Sequence, residues 1–212
     1  VTNYPEIDRF FNVYYEWISQ LFPSIPNGTK EVIEGATEFI GNVYLFKKPG
    51  MSTDEIERLA ESAVSLPAYY IEFLSEYSYR NLELPIFTFP DTIAGADSFL
   101  PMVKKGAPFS VLPFSYDKME NGVYCIDFSQ NEKIVFFSYA NDRPNHEIVA
   151  SSFLTLLSFI SEYLEWGGSL GELDISDREE AVTELKSRDP HGIGGDAWSR
   201  WWLPRLESSE LN

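Results

Sequence analysis

Apolar residues recur along this chain with two different periods. Phe10, Tyr14, Trp17, Ile18, Leu21 and Phe22 stand three and four positions apart, which predicts a helix closed by Pro23 and Pro26. A turn at Asn27-Gly28, a weaker helical pattern from Lys30 to Ile40, a short strand over Val43 to Phe46 and a loop through Pro49-Gly50 follow. From Asp54 the helical period returns with Ile56, Leu59, Ala60 and Ala63, and Ser52 with Glu55 three residues on supplies a capping box. Pro67 interrupts this run. It has no N–H to donate and disfavours helical backbone at Leu66, yet it suits the first turn of a new helix. That second helix carries Tyr70, Ile71, Phe73, Leu74 and Tyr77 as a wide apolar stripe, which requires a large surface to pack against.

Beyond Tyr77 the pattern turns to short apolar runs broken by prolines. Leu84 to Phe89 reads as an edge strand between Pro85 and Pro90, Asp91 to Met102 as a turn with a short helix or loop, and Phe109 to Phe114 as an extended segment. The clearest hairpin has arms Gly122 to Phe128 and Ile134 to Tyr139, both rich in β-branched and aromatic residues, as central strands are. After a polar turn from Ala140 to Asn145, Ser151 or Ser152 caps a helix bearing Phe153, Leu156, Leu157, Ile160 and Leu164, which Gly167-Gly168 ends. An acidic helix is predicted from Ser176 to about Lys186. The rest is Gly-rich and then Trp-rich.

Length and composition narrow the class. The chain has 212 residues, 44% hydrophobic and 16% aromatic, enough for one self-sufficient core, and no apolar run approaches a membrane span. Its one cysteine, Cys125, excludes an internal disulfide and fits a reducing compartment, so the expected location is cytoplasmic. Thirty-three acidic against sixteen basic residues give a formal charge of −17, which disfavours nucleic acid and anionic membranes as partners and favours basic ones. Two acidic zones stand out. Between Arg58 and Lys104 the only basic residue is Arg80, against Glu61, Glu72, Glu76, Glu83, Asp91 and Asp97; between Arg143 and Arg178 there is none, while Glu147, Glu162, Glu165, Glu172, Asp174 and Asp177 accumulate. Each zone read singly is an ordinary solvated surface.

Candidate chemistry is sparse. Cys125 sits mid-strand, the place of a small buried hydrophobe rather than a nucleophile, and His146 and His191 lack the local context of a Cys-His enzyme. So few His and Cys residues leave no zinc site, and no acidic loop has EF-hand spacing, so neither a metal nor another cofactor is expected. Asn27-Gly28-Thr29 matches a glycosylation acceptor, silent in a cytoplasmic protein. Gly192-Ile193-Gly194-Gly195 neither follows a strong strand nor leads into Lys-Ser or Lys-Thr, so it reads as a flexible connector and not a phosphate loop. Carboxylate pairs among thirty-three acids arise by coincidence and carry no catalytic information. Trp198, Trp201 and Trp202 share one helical face, which either docks on this chain or fills pockets on a partner.

The order of these elements resembles the SMI1/KNR4 (SUKH) superfamily. The likeness covers about Thr53 to Trp166: a charged helix, Leu66-Pro67, the Tyr69-Tyr70-x-x-Phe73-Leu74 helix, proline-broken strands, the Gly122-Val123-Tyr124-Cys125-Ile126-Asp127 strand with its hairpin partner, and a helix opened by Ser151-Ser152-Phe153-x-x-Leu156-Leu157. It implies an α+β fold with a mainly antiparallel curved sheet flanked by helices. Residues 51–167 then form the family core, 1–50 a helical extension packed on it, and 168–212 an acidic, Trp-rich extension. Most bacterial members are inferred to be immunity proteins that neutralise a cognate polymorphic toxin, often a nuclease, whereas fungal members act as regulatory scaffolds in cell-wall synthesis. The resemblance thus implies no enzyme activity and a protein partner, a basic toxin domain whose active site or substrate groove is occluded. Glu76, Tyr77, Tyr79, Glu83, Asp91 and Asp97, in the adaptable connection between helix and sheet, are the expected toxin contacts.

Overall fold

A computed structural model describes residues 2–21, 51–62, 66–76, 82–89, 111–117, 119, 122–138 and 145–207. Among the described residues six strands in chain order form one antiparallel sheet, β1 (Leu82–Glu83), β2 (Phe87–Phe89), β3 (Val111–Asp117), β4 (Gly122–Asp127), β5 (Lys133–Ser138) and β6 (Asn145–Ala150). The helices are α1 (Pro5–Leu21), α2 (Thr53–Ser62), α3 (Ala68–Glu76), α4 (Phe153–Glu165), α5 (Ile175–Arg188) and α6 (Leu203–Glu207), with a π-helical turn at Trp198–Trp202 entering the last. The fold is α+β, as the order of elements implies.

Side chains alternate across the sheet, and both faces of its centre are buried. Tyr124 and Ile126 of β4 join Leu112, Phe114, Ile134 and Phe136 in the main core, while Val123 and Cys125 join Val111, Val135 and Phe137 in a second cluster on the other face. This double burial explains why β4 and β5 read as near-continuous apolar runs. Helices supply the rest of the main core. Ile7, Phe10, Phe11, Tyr14 and Trp17 make the buried stripe of α1, which lies against α4, and the Trp17 Nε1 donates to the Gly167 carbonyl across 3.1 Å.

The capping box predicted at Ser52 is present: Glu55 accepts from the Ser52 N–H at 2.8 Å, and the Ser52 hydroxyl accepts from the Glu55 N–H at 3.4 Å. After Pro67, α3 directs Phe73 into an aromatic knot, with ring centroids 5.4 Å from Phe11, 5.6 Å from Phe89 and 5.1 Å from Phe153. The break at Leu66-Pro67 therefore brings one helix simultaneously against α1, the sheet and α4. Ser152, not Ser151, caps α4, and Gly167 and Gly168 both take positive φ at its end, where an L side chain is strained.

Three expectations change. Leu84 to Phe89 is not a single strand: Pro85 sits in the connection of the β1–β2 hairpin, whose edge strand is only two residues long. Asn145–Ala150 is a strand where the polar residues before Ile148 had hidden one. The Gly-rich segment is not a loose connector. Asp189, 4% exposed, accepts from the Ser151 N–H at 2.7 Å, the Ser151 hydroxyl at 2.7 Å and the Gly192 N–H at 3.0 Å, pinning the turn to the start of α4.

The tryptophans dock at home, buried in the main core from a π-helical turn. Trp198 lies beneath the Lys186 ammonium, Trp201 packs on Phe136 at 4.3 Å, and Trp202 stacks on Tyr124 and donates to the Val149 carbonyl at 2.7 Å.

Candidate partner-binding surface

The expected contacts fall where the chain is only partly described. Tyr77, Tyr79, Asp91 and Asp97 lie outside the described residues. Glu76 is the last residue of α3, and Glu83 the last of β1. Register places Glu83 opposite Thr88, Thr88 opposite Tyr116, and Tyr116 opposite Val123. Within that register Tyr116 is exposed and Val123 is buried in the second apolar cluster.

The second acidic zone divides in a way that one-dimensional counting misses. Glu162, buried on α4, takes Arg9 of α1 at 2.9 Å and Arg188 of α5, and Glu165 takes the same Arg9 at 2.8 Å. Glu147 on β6 faces Arg200 at 3.3 Å. Cations from outside the zone thus neutralise half of it. Burial opposes ionisation of Glu162, but the hydrogen bond and charge of Arg9, the charge of Arg188 and a hydrogen bond with Glu184 outweigh it and hold the carboxyl below its ordinary range.

The other acids remain outside. Asp174 caps α5, accepting from the Asp177 N–H at 3.0 Å and the Ser176 hydroxyl at 2.9 Å, and these hydrogen bonds hold its carboxyl below the usual value. Glu172, Asp177, Glu179 and Glu180 are exposed around it, and Ile175, 80% exposed, stands at the first position of the helix. The acidic helix predicted from Ser176 begins one residue earlier, at this exposed isoleucine.

Arginines among the described residues pair with carboxylates of the same chain. Arg178 pairs with Glu207, and Arg205 pairs with Asp117, its Nε 2.9 Å from Oδ2, with 4% and 0% of the two side chains exposed. The Arg205 guanidinium also lies 3.4 Å from the centre of the Trp201 ring, and the Tyr124 hydroxyl donates to the same carboxylate. Arg9, Arg178, Arg188, Arg200 and Arg205 are all tied to carboxylates of this chain.

Cys125 is fully buried, and burial, with the nearby charge of Asp127, pushes its thiol well above the ordinary value, the environment of an inert core residue. Among the described residues no group of three or more His, Cys, Asp or Glu side chains is arranged to hold a metal ion, and no helix is long and apolar enough to cross a membrane. A groove of about 770 Å³ runs between the β6 edge and the turn after Asp189, lined mainly by polar and charged groups.

No curated protein matches this chain. The family model described as SMI1-KNR4 cell-wall matches residues 53–157, the span from the start of α2 into α4 that holds the Leu66-Pro67 break, the aromatic helix and the whole sheet. The chain belongs to the SMI1/KNR4 (SUKH) superfamily.

Proposed function

We propose that this chain is an immunity protein that binds and neutralises a cognate toxin with a basic domain, a nuclease, by covering its active site or substrate groove. The observation that carries this reading is the pairing of the described arginines within the chain, which leaves Glu172, Asp174, Asp177, Glu179 and Glu180 exposed at one end of α5 in a family consistent with the immunity type. Such a surface stands in for nucleic-acid phosphates and steers a basic partner to it. Nothing in this role requires catalysis by the chain. Glu76, Tyr77, Tyr79, Glu83, Asp91 and Asp97 are the proposed contacts from the first acidic zone, with Tyr side chains as the anchors that retain the complex.

The test is co-expression with the protein encoded by the neighbouring gene. Suppressed lethality, a complex that purifies, and affinity that falls steeply with salt support the proposal. The cell-wall description of the matched family favours one other reading, a non-catalytic scaffold domain for a cellular protein. A neighbouring product that is harmless when expressed alone selects that reading.

A further inference from the structure

We propose that the β6 edge and its groove form a two-fold interface with a second copy of this chain. β6 is the terminal strand of the sheet and pairs with β5 alone among the described residues. Alternate residues of such a strand turn their N–H and C=O groups away from the sheet, and these groups can bond to another extended strand. At the far end of the strand the Val149 carbonyl is taken by Trp202, and the register shifts between Ile134 and Val135, so the stretch from Asn145 to Ile148 is the part of this edge with no second strand beside it among the described residues.

Charge selects the occupant. Two molecules of net charge −17 repel wherever acids dominate, so they can meet only where cations offset them. The groove is such a place. It gathers Lys133 and Arg200 with Glu147 and Asp196, so its permanent charges cancel, and it adds the His191 side chain. A surface with both signs is complementary to itself under a two-fold axis, because each copy offers the other its opposite charge. Ile148, 37% exposed at this edge, gives the contact an apolar centre, and register puts it beside Val135 on the face of the second cluster. A basic partner of the kind that suits α5 gains nothing here, since Lys133 and Arg200 oppose it. The two surfaces are separate.

The experiment is sedimentation equilibrium of the whole chain up to about 100 µM, where an association with a micromolar Kd is close to saturated. The wild-type protein is expected to approach twice its chain mass of 24.3 kDa. Ile148→Asp is expected to leave it monomeric, and Lys133→Glu and Asp196→Lys are each expected to weaken association about tenfold or more. Because these positions are at least partly exposed, circular dichroism melts should match wild type, and the double swap K133E/D196K should recover association by restoring opposite signs across the axis. A wild-type protein monomeric throughout the range, a dimer indifferent to Ile148→Asp, or a double swap no tighter than either single change would overturn the proposal.

Discussion

Asp117 on β3 holds Arg205 of the last helix with an Nε–Oδ2 distance of 2.9 Å, so the hairpin that shapes the sheet centre is tied to the chain's final described turn. The pair is nearly sealed from solvent and further hydrogen-bonded: Tyr124 donates to the carboxylate, and the Arg205 Nη1 donates to the Trp201 carbonyl at 3.1 Å. Removing one partner leaves a buried charge without its counter-ion. Arg205→Met is expected to destabilise the protein by about 3–5 kcal/mol in urea unfolding, mainly because Asp117 is left behind. The double change to Arg205→Met with Asp117→Asn should cost less than the single one, since no uncompensated charge remains.

The Glu162 hub sets an acid limit on stability. Its folded-state pKa lies below the unfolded value of about 4.3, so the contribution is complete above that value and is lost as pH falls through the folded pKa. Arg9 and Arg188 then face a neutral carboxyl, and α1 and α5 lose the same anchor together. Thermal melts should show the midpoint falling below about pH 4. Glu162→Gln should lower the midpoint at pH 7 and flatten that acid dependence; an unchanged acid slope in this variant would place the titration elsewhere.

Gly192 is required by space rather than by backbone angle. A Cβ there would sit 2.6 Å from the Ser151 nitrogen and closer still to the Asp189 carboxylate, both of which are bonded to each other at the start of α4. Gly192→Ala is expected to cost about 1–3 kcal/mol by displacing this clamp. Gly167→Ala meets no atom but adopts a positive φ, so its cost is conformational and should be smaller, about 1 kcal/mol. Chemical denaturation of the two variants orders them.

What could be read from the sequence was whatever depends on neighbours in the chain. The Ser52–Glu55 box, the break at Pro67, the arms of the Gly122–Ser138 hairpin and the cap before Phe153 each follow from residues within a few positions of one another. β6 escaped because its only strand signal, Ile148-Val149-Ala150, is shorter than a turn of helix and runs straight into the serine cap. Asp189 and Arg205 escaped for a different reason. Their partners, Ser151 and Asp117, are 38 and 88 positions away, and no local pattern marks an ion pair or a clamp over such a span. The same blindness inflated the second acidic zone, where Arg9, Arg188 and Arg200 arrive only through the fold.

That division of the acids gives the proposed function its sharpest test. If a basic toxin is steered by exposed carboxylates, then Asp177→Lys, Glu179→Lys and Glu180→Lys should each slow association about two- to fivefold at low salt, with little change at high salt, since each removes an exposed attraction of about 0.5–1 kcal/mol. Glu165→Lys should act differently, because Glu165 already serves Arg9 and its loss is felt first as lower thermal stability. Comparing these reversals with Glu83→Lys, Asp91→Lys and Asp97→Lys in stopped-flow binding separates the two zones. Slowing confined to the second set locates the contact at the helix-to-sheet connection and assigns α5 a purely solvating role; slowing confined to the first reverses that assignment. Indifference of all six removes electrostatic steering, and with it the reason for a basic partner.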